Sequence, residues 1–277
     1  MPKLKGMDSK VLFGKQVDKE NDDVFYSDKE HIYMSKKDGA PYISVTQLIH
    51  RYTQPFDANF WSSYKAAEAL LGAAFSPLKS KLLTNKLWKD SYLEEYGIDK
   101  SEFENKKKEI LQSYADTNRE ACEHGTEVHA KMENLFYQKD EKRLSTFGIG
   151  GKIDVEKGYY KFDKERAIYP EILLSYAPDE YLRISGQADI VIKDGDEFTI
   201  GDWKTSKSID KESYFDKSKK KRQMLKFPLD NIQDSNFWIY SLQLSLYMYM
   251  IQQMNPKYKC KKLVLIHIDR DGNETEY

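Results

Sequence analysis

Two short segments, Ile184 to Lys193 and Glu197 to Lys204, constrain this chain more than any other stretch. Both are rich in Ile, Val, Phe, Thr and Trp, and the "DGDE" between them is a turn signal, which predicts a β-hairpin. A two-residue turn at Gly195 and Asp196 sets a register in which Asp189 faces Asp202. Residues opposed in this way have Cβ atoms about 4.5–5.5 Å apart, and like charges there destabilise a sheet. Side chains alternate faces along a strand, so Lys204 shares the face of Asp202 and falls opposite Gln187. One face therefore carries two carboxylates and an ammonium. Two readings are open: solvated acids with an ordinary weak ion pair on a surface hairpin, or oxygen ligands for Mg²⁺ or Mn²⁺ beside a lysine that handles a water molecule.

The rest of the chain bears on that choice. Its 277 residues, 32% charged and 40% hydrophobic, suit a globular protein with one large domain or a domain with an appended helical part. No long apolar run is present, and the opening "MPKLKGMDSK" lacks the apolar centre of a signal peptide. The expectation is a soluble cytoplasmic protein without a membrane partner. Two cysteines, Cys122 and Cys260, are too few for a disulfide framework or a four-cysteine zinc or iron–sulfur site, and their expected role is packing. A net charge of −1 provides no overall field to attract nucleic acid, so any such binding must come from local patches.

Along the chain, residues 24–45 alternate as a hairpin turning at Asp38 and Gly39. Thr46 is the expected cap of a helical region that runs to about 138, with breaks at Gly72, Pro77 and Gly97. From about 144 the pattern becomes strands and loops: a glycine-rich "TFGIGGKIDV", a strand candidate "AIYPEILLSYA", then the hairpin. A lysine-rich connection spans 205–234. The stretch "DSNFWIYSLQLSLYMYMIQQMNP" predicts a long helix capped by Asp234 or Ser235 and stopped by Pro256, and "KKLVLIHID" a last buried strand. This order of helices, strand, hairpin, helix and strand predicts an α/β fold, a mixed sheet flanked by helices.

Further residues are candidates for the same site. Glu171 lies amid Ile172, Leu173 and Leu174, where an acid needs a partner or a metal unless it sits exposed at a strand end. His129 lies at the edge of a helical face formed by Val128, Met132, Leu135 and Phe136, as a ligand or as a boundary residue, with Gly125 one turn before it. Glu133 is expected to face solvent. Gln243 and Tyr247 lie one turn apart and reach the interior together. The run "KSKKKRQ", with Lys219, Lys220, Lys221 and Arg222, is the densest positive cluster, either a solvated loop or a track for a phosphate backbone.

Taken together, these segments resemble the PD-(D/E)xK nuclease superfamily, in particular its RecB-like branch of phage-encoded exonucleases. The resemblance is carried by "GTEVH" from Gly125 to His129, "PEILL" with Glu171, "GQAD" ending at Asp189, "DWK" from Asp202 to Lys204, and "QLSLY" from Gln243 to Tyr247, in that order. It covers about residues 120–268. It implies a restriction-endonuclease-like core over 120–277, with 1–119 as an N-terminal β-hairpin and helical region packed on it. It implies a DNA exonuclease that uses one or two Mg²⁺ or Mn²⁺ ions, in the host cytoplasm if phage-encoded. Asp189, Asp202, His129, Glu171 and the Trp203 carbonyl would be ligands, Lys204 would serve the attacking water, and Gln243 and Tyr247 would position the DNA. The cysteines that iron–sulfur relatives need are missing. The alternative is a catalytically silent nuclease-fold subunit that binds DNA or serves assembly.

Overall fold

The computed structural model describes residues 19–139, 144, 147–149, 153–156, 162–216 and 220–277. By its contacts the chain divides into two units. The first takes the described residues up to Thr53, with His124–Tyr214 and Arg222–Tyr277, and the second takes Gln54–Glu123 and Phe215–Lys221.

The first unit is built on a mixed sheet. The strands β1 (Lys19–Glu20), β2 (Val24–Ser27), β3 (Ile32–Ser35) and β4 (Pro41–Ser44) form an antiparallel meander. The expected hairpin thus has a further turn at 28–31. "DKEH" lacks glycine and proline, and His31 takes the left-handed conformation itself, with φ 52°. Ser44, not Thr46, caps α1 (Val45–His50): its hydroxyl accepts from Gln47 N while the Gln47 side chain returns to Ser44 N, a capping box.

The strand β4 then runs parallel to β7 (Ile184–Asp194), which pairs antiparallel with β6 (Arg166–Tyr176) and β8 (Glu197–Lys204). A short β5 (Asp154–Val155) lies parallel to β6. The strand β9 (Lys259–Ile268) lies parallel to β8, and β10 (Glu274–Glu276) closes the edge. Among the described residues these ten strands form one sheet.

Helices flank the sheet and define two cores. In one, Leu244, Tyr247, Met250 and Ile251 of α6 (Asn236–Met254) pack with Tyr169, Ile172, Leu174, Ala188, Val191 and Ile200. In the other, Met132 and Phe136, near the end of α5 (Lys100–Tyr137), pack with Ile168, Ile190, Ile192, Trp203, Val264 and Ile266. No described helix is long and apolar enough to cross a membrane.

The second unit is helical and has its own core. Asp57 caps α2 (Ala58–Leu71), which ends at Gly72 with φ 52°; a 3₁₀ turn (Gly72–Phe75) leads into α3 (Ser76–Asn85) and then α4 (Ser91–Glu95). Pro77 sits in the first turn of α3 instead of breaking a helix, where its missing N–H costs nothing. Phe60, Tyr64, Phe75, Leu78, Leu82 and Phe103 close the core. Cys122 is exposed and Cys260 is half-buried, so packing is no account of the former.

Candidate active site

Two strands lose their alternation at the same level. Ile168 and Ile172 would share a face of a regular β6, yet they pack into different cores, as do Ala188 and Ile190 of β7. The slips coincide with Glu171 and Asp189. The ladder pairs Pro170 with Ile190 and Ile172 with Ala188, and skips the residues between them. Glu171 takes φ 50°, a left-handed conformation that costs a residue with a Cβ about 1–2 kcal/mol. The strain turns the glutamate out of the pleat towards Asp189 and His129.

The β7–β8 register is the expected one from Asp194↔Glu197 to Ile190↔Gly201, but it ends one position short of Asp189 and Asp202. In place of a ladder pair, the Asp189 carboxylate accepts a 2.7 Å hydrogen bond from Trp203 N. Lys204 is also not opposite Gln187. It lies 2.6 Å from Asp202 Oδ2, donates to Gln243 Oε1 at 3.3 Å and stands over the Tyr240 ring.

His129 reaches the strand acids from α5, its Nδ1 3.4 Å from Asp189 Oδ1 and 3.7 Å from Glu171 Oε1. One ligand atom from each of His129, Glu171 and Asp189 lies within 4.8 Å of the others, close enough to share a cation. Asp202 stands outside that group, buried, with neither carboxylate oxygen accepting a hydrogen bond of good geometry. Such a buried acid, ion-paired with Lys204 beside three ligand-type side chains, fits an oxygen-rich divalent site. Trp203 lends its N–H, while its indole is buried against Phe136 in the core.

The charges are tightly coupled. The Asp189 carboxylate, with help from Glu171 and against burial, raises His129 well above the ordinary histidine value. Burial favours neutral Asp189, but His129, Lys204 and the Trp203 N–H outweigh it and hold its pKa below the usual value. At Asp202 burial dominates; against the pull of Lys204 and with the charge of Asp189, it lifts the pKa to about 6. Burial opposes the Lys204 ammonium, yet Asp202 and Asp189 prevail and raise its pKa. Lys204 is therefore protonated at neutral pH.

Gln243 and Tyr247 are buried, and Gln243 Nε2 donates to Tyr247 Oη at 3.3 Å, so the pair is tied to Lys204 by hydrogen bonds. Gly186 of "GQAD" makes room for that ring: a Cβ there would lie 2.8 Å from Tyr247 Cε1. Of the basic run, Lys220 and Lys221 are exposed, Arg222 pairs with Glu212 and donates to the Ser213 carbonyl, and Lys219 lies outside the described residues.

Residues the motifs did not single out also enter. Glu133 faces the site instead of solvent: burial and Glu171 raise its pKa, and its spacing of four from His129 was the available signal. Lys19 lies 3.6 Å from Glu171 and donates to Gln187 Oε1 at 2.7 Å, with no local sequence signal to mark it.

No curated protein matches the chain. Among solved structures, the crystal structure of SSO0001 is similar at 18% identity with a TM-score of 0.30, over 61% of this chain and 53% of that one. The chain thus spans about half the length of that protein, and a likeness this distant carries no argument. A family model described as the PD-(D/E)XK nuclease superfamily matches residues 44–276, a span that contains His129, the strand acids, Lys204 and Tyr247. With most of its length matched, the chain belongs to the PD-(D/E)XK nuclease superfamily.

Proposed function

We propose that the chain is a Mg²⁺- or Mn²⁺-dependent deoxyribonuclease that acts as an exonuclease on linear or single-stranded DNA ends. One observation carries the reading: Lys204, held by Asp202 and Gln243, stands beside a His129, Glu171 and Asp189 group suited to one cation. The superfamily supplies metal-dependent nuclease chemistry. The choice of DNA ends rests on the ordered motifs shared with RecB-like exonucleases.

His129, Glu171, Asp189 and Asp202 would hold the cation, with the Trp203 carbonyl a further candidate. When bound, it would offset the charge gathering on the phosphoryl oxygens and make water more acidic. Lys204 lies where it can align the attacking water or take its proton. Gln243 orients Lys204, and Tyr247 holds Gln243, so both act on the DNA through the lysine. In the reaction the water gives up a proton as its oxygen bonds to phosphorus, the bond to the 3′ oxygen breaks, that oxygen takes up a proton so that the net change is addition of water, and the product keeps a 5′-phosphate. Lys220 and Lys221, with Lys219 of the same run, are candidates for contacts to the DNA backbone.

The test is digestion of linear and circular DNA in Mg²⁺, Mn²⁺ or EDTA, with Lys204→Ala alongside. Loss of linear DNA alone, dependent on the metal and on Lys204, is the expected result. Cutting of circles would replace exonuclease by endonuclease. Protein that shifts DNA and never cuts it with either metal would be the silent binding subunit.

A further inference from the structure

The acids of the site are flanked by two lysines that lie far apart in the sequence. Lys204 stands at Asp202, and Lys19 of β1 stands at Glu171. The Lys19 side chain keeps 18% of its surface exposed. An ammonium has three N–H donors, and among the described residues Lys19 commits one at hydrogen-bond distance, to the neutral carbonyl of Gln187 at 2.7 Å. The Glu171 carboxylate, at 3.6 Å, is a looser ion-pair partner. Gln187 lies near the Tyr33 and Tyr26 hydroxyls, whose rings stack 4.6 Å apart. The amine is thus anchored by an uncharged group at the rim of the acid cluster.

We infer that Lys19 is a second substrate-contacting lysine, which binds a phosphate of the DNA at the Glu171 side of the site. This rests on the nuclease reading above. Glu171 is the anionic partner of Lys19 in the cluster, and it is also a member of the group suited to a cation. A divalent ion draws on the same carboxylate charge, which leaves the Lys19 ammonium held by a neutral amide beside an arriving polyanion. A phosphodiester oxygen is the group such an ammonium takes up, and each phosphate contact releases counterions from the DNA.

The experiment compares wild type with Lys19→Met, which keeps the apolar stem and loses the charge, and Lys19→Arg, which keeps the charge. Binding of a fluorescein-labelled oligonucleotide is followed by anisotropy in Ca²⁺ over a series of KCl concentrations, with Mn²⁺ affinity measured separately. The expected result is a loss of roughly fivefold to tenfold in affinity for Lys19→Met at low salt, and a salt slope shallower by about 0.7–0.9. Lys19→Arg should retain wild-type binding, and Mn²⁺ affinity should stay the same or tighten. Unchanged affinity and slope in Lys19→Met, with wild type still cutting DNA, would overturn the assignment alone. Weaker Mn²⁺ binding with unchanged DNA binding would also overturn it and make Lys19 a support for Glu171. A wild type that neither binds nor cuts DNA would overturn the nuclease reading itself.

Discussion

At the scale of single residues, Glu171 shows how the site trades stability for geometry. Its left-handed backbone is unfavourable for a residue with a Cβ, yet that turn brings its Oε1 within 3.7 Å of His129 Nδ1. Glycine adopts the same conformation freely. In Glu171→Gly, relief of about 1 kcal/mol or more of strain competes with the loss of two loose ion pairs, to His129 and Lys19 at 3.7 and 3.6 Å. Removal of a carboxylate from beside Asp189 adds to the relief. The expected outcome is a melting temperature in EDTA that is unchanged or higher by a few degrees, with Mn²⁺ affinity lower by about 10- to 100-fold or more. A large drop in melting temperature, read by differential scanning fluorimetry, would mean that Glu171 holds the fold together instead of serving the site.

At the scale of elements, the site depends on a close approach between β7 and α6. Gly186→Ala would put a methyl 2.8 Å from Tyr247 Cε1 and 3.0 Å from its hydroxyl, so the ring must move. Overpacking of this kind costs about 1–3 kcal/mol, and displacement of Tyr247 frees Gln243 and then Lys204. Cleavage is therefore expected to lose kcat more than KM. Tyr247→Leu, which removes the ring, should show strong non-additivity with Gly186→Ala; additive effects would sink the contact as the cause. The hairpin, its turn, the helix of Gln243 and Tyr247 and the order of the motifs were legible because alternation, helical period and turn residues are local signals. The departure at Asp189 was not, because it arises from the Trp203 N–H choosing a carboxylate over a strand partner. Lys19 was equally hidden, since it meets Gln187 across 168 residues and stands on a strand only two residues long. Glu133 was misjudged for a related reason: helical projection shows which face a residue shares, but not what that face meets.

At the scale of the whole molecule, the His129 site lies in the sheet unit, whereas the helical unit closes its own core around Phe60, Tyr64, Leu78 and Phe103. A ligand stabilises the part of the protein that must fold to bind it. At a Mg²⁺ concentration of about 100 Kd the gain is about 2.7 kcal/mol, or about 5–10 °C for a unit of this size. Two melting transitions are expected, with the cation moving only one. The size of that shift should depend on pH, and the sign follows from His129. Its folded pKa is raised by Asp189, so its contribution to stability is full below the unfolded value of about 6.5 and is lost as pH rises through the folded pKa. In EDTA the sheet-unit transition should therefore fall as pH rises above neutrality. A cation replaces the proton between His129 and the acids, so its binding tightens over the same range and the Mg²⁺-induced shift grows. A calorimetric scan in EDTA and in Mg²⁺ across that range decides the matter: one shared transition would refute independent units, and a shift that shrinks with rising pH would refute proton displacement from His129.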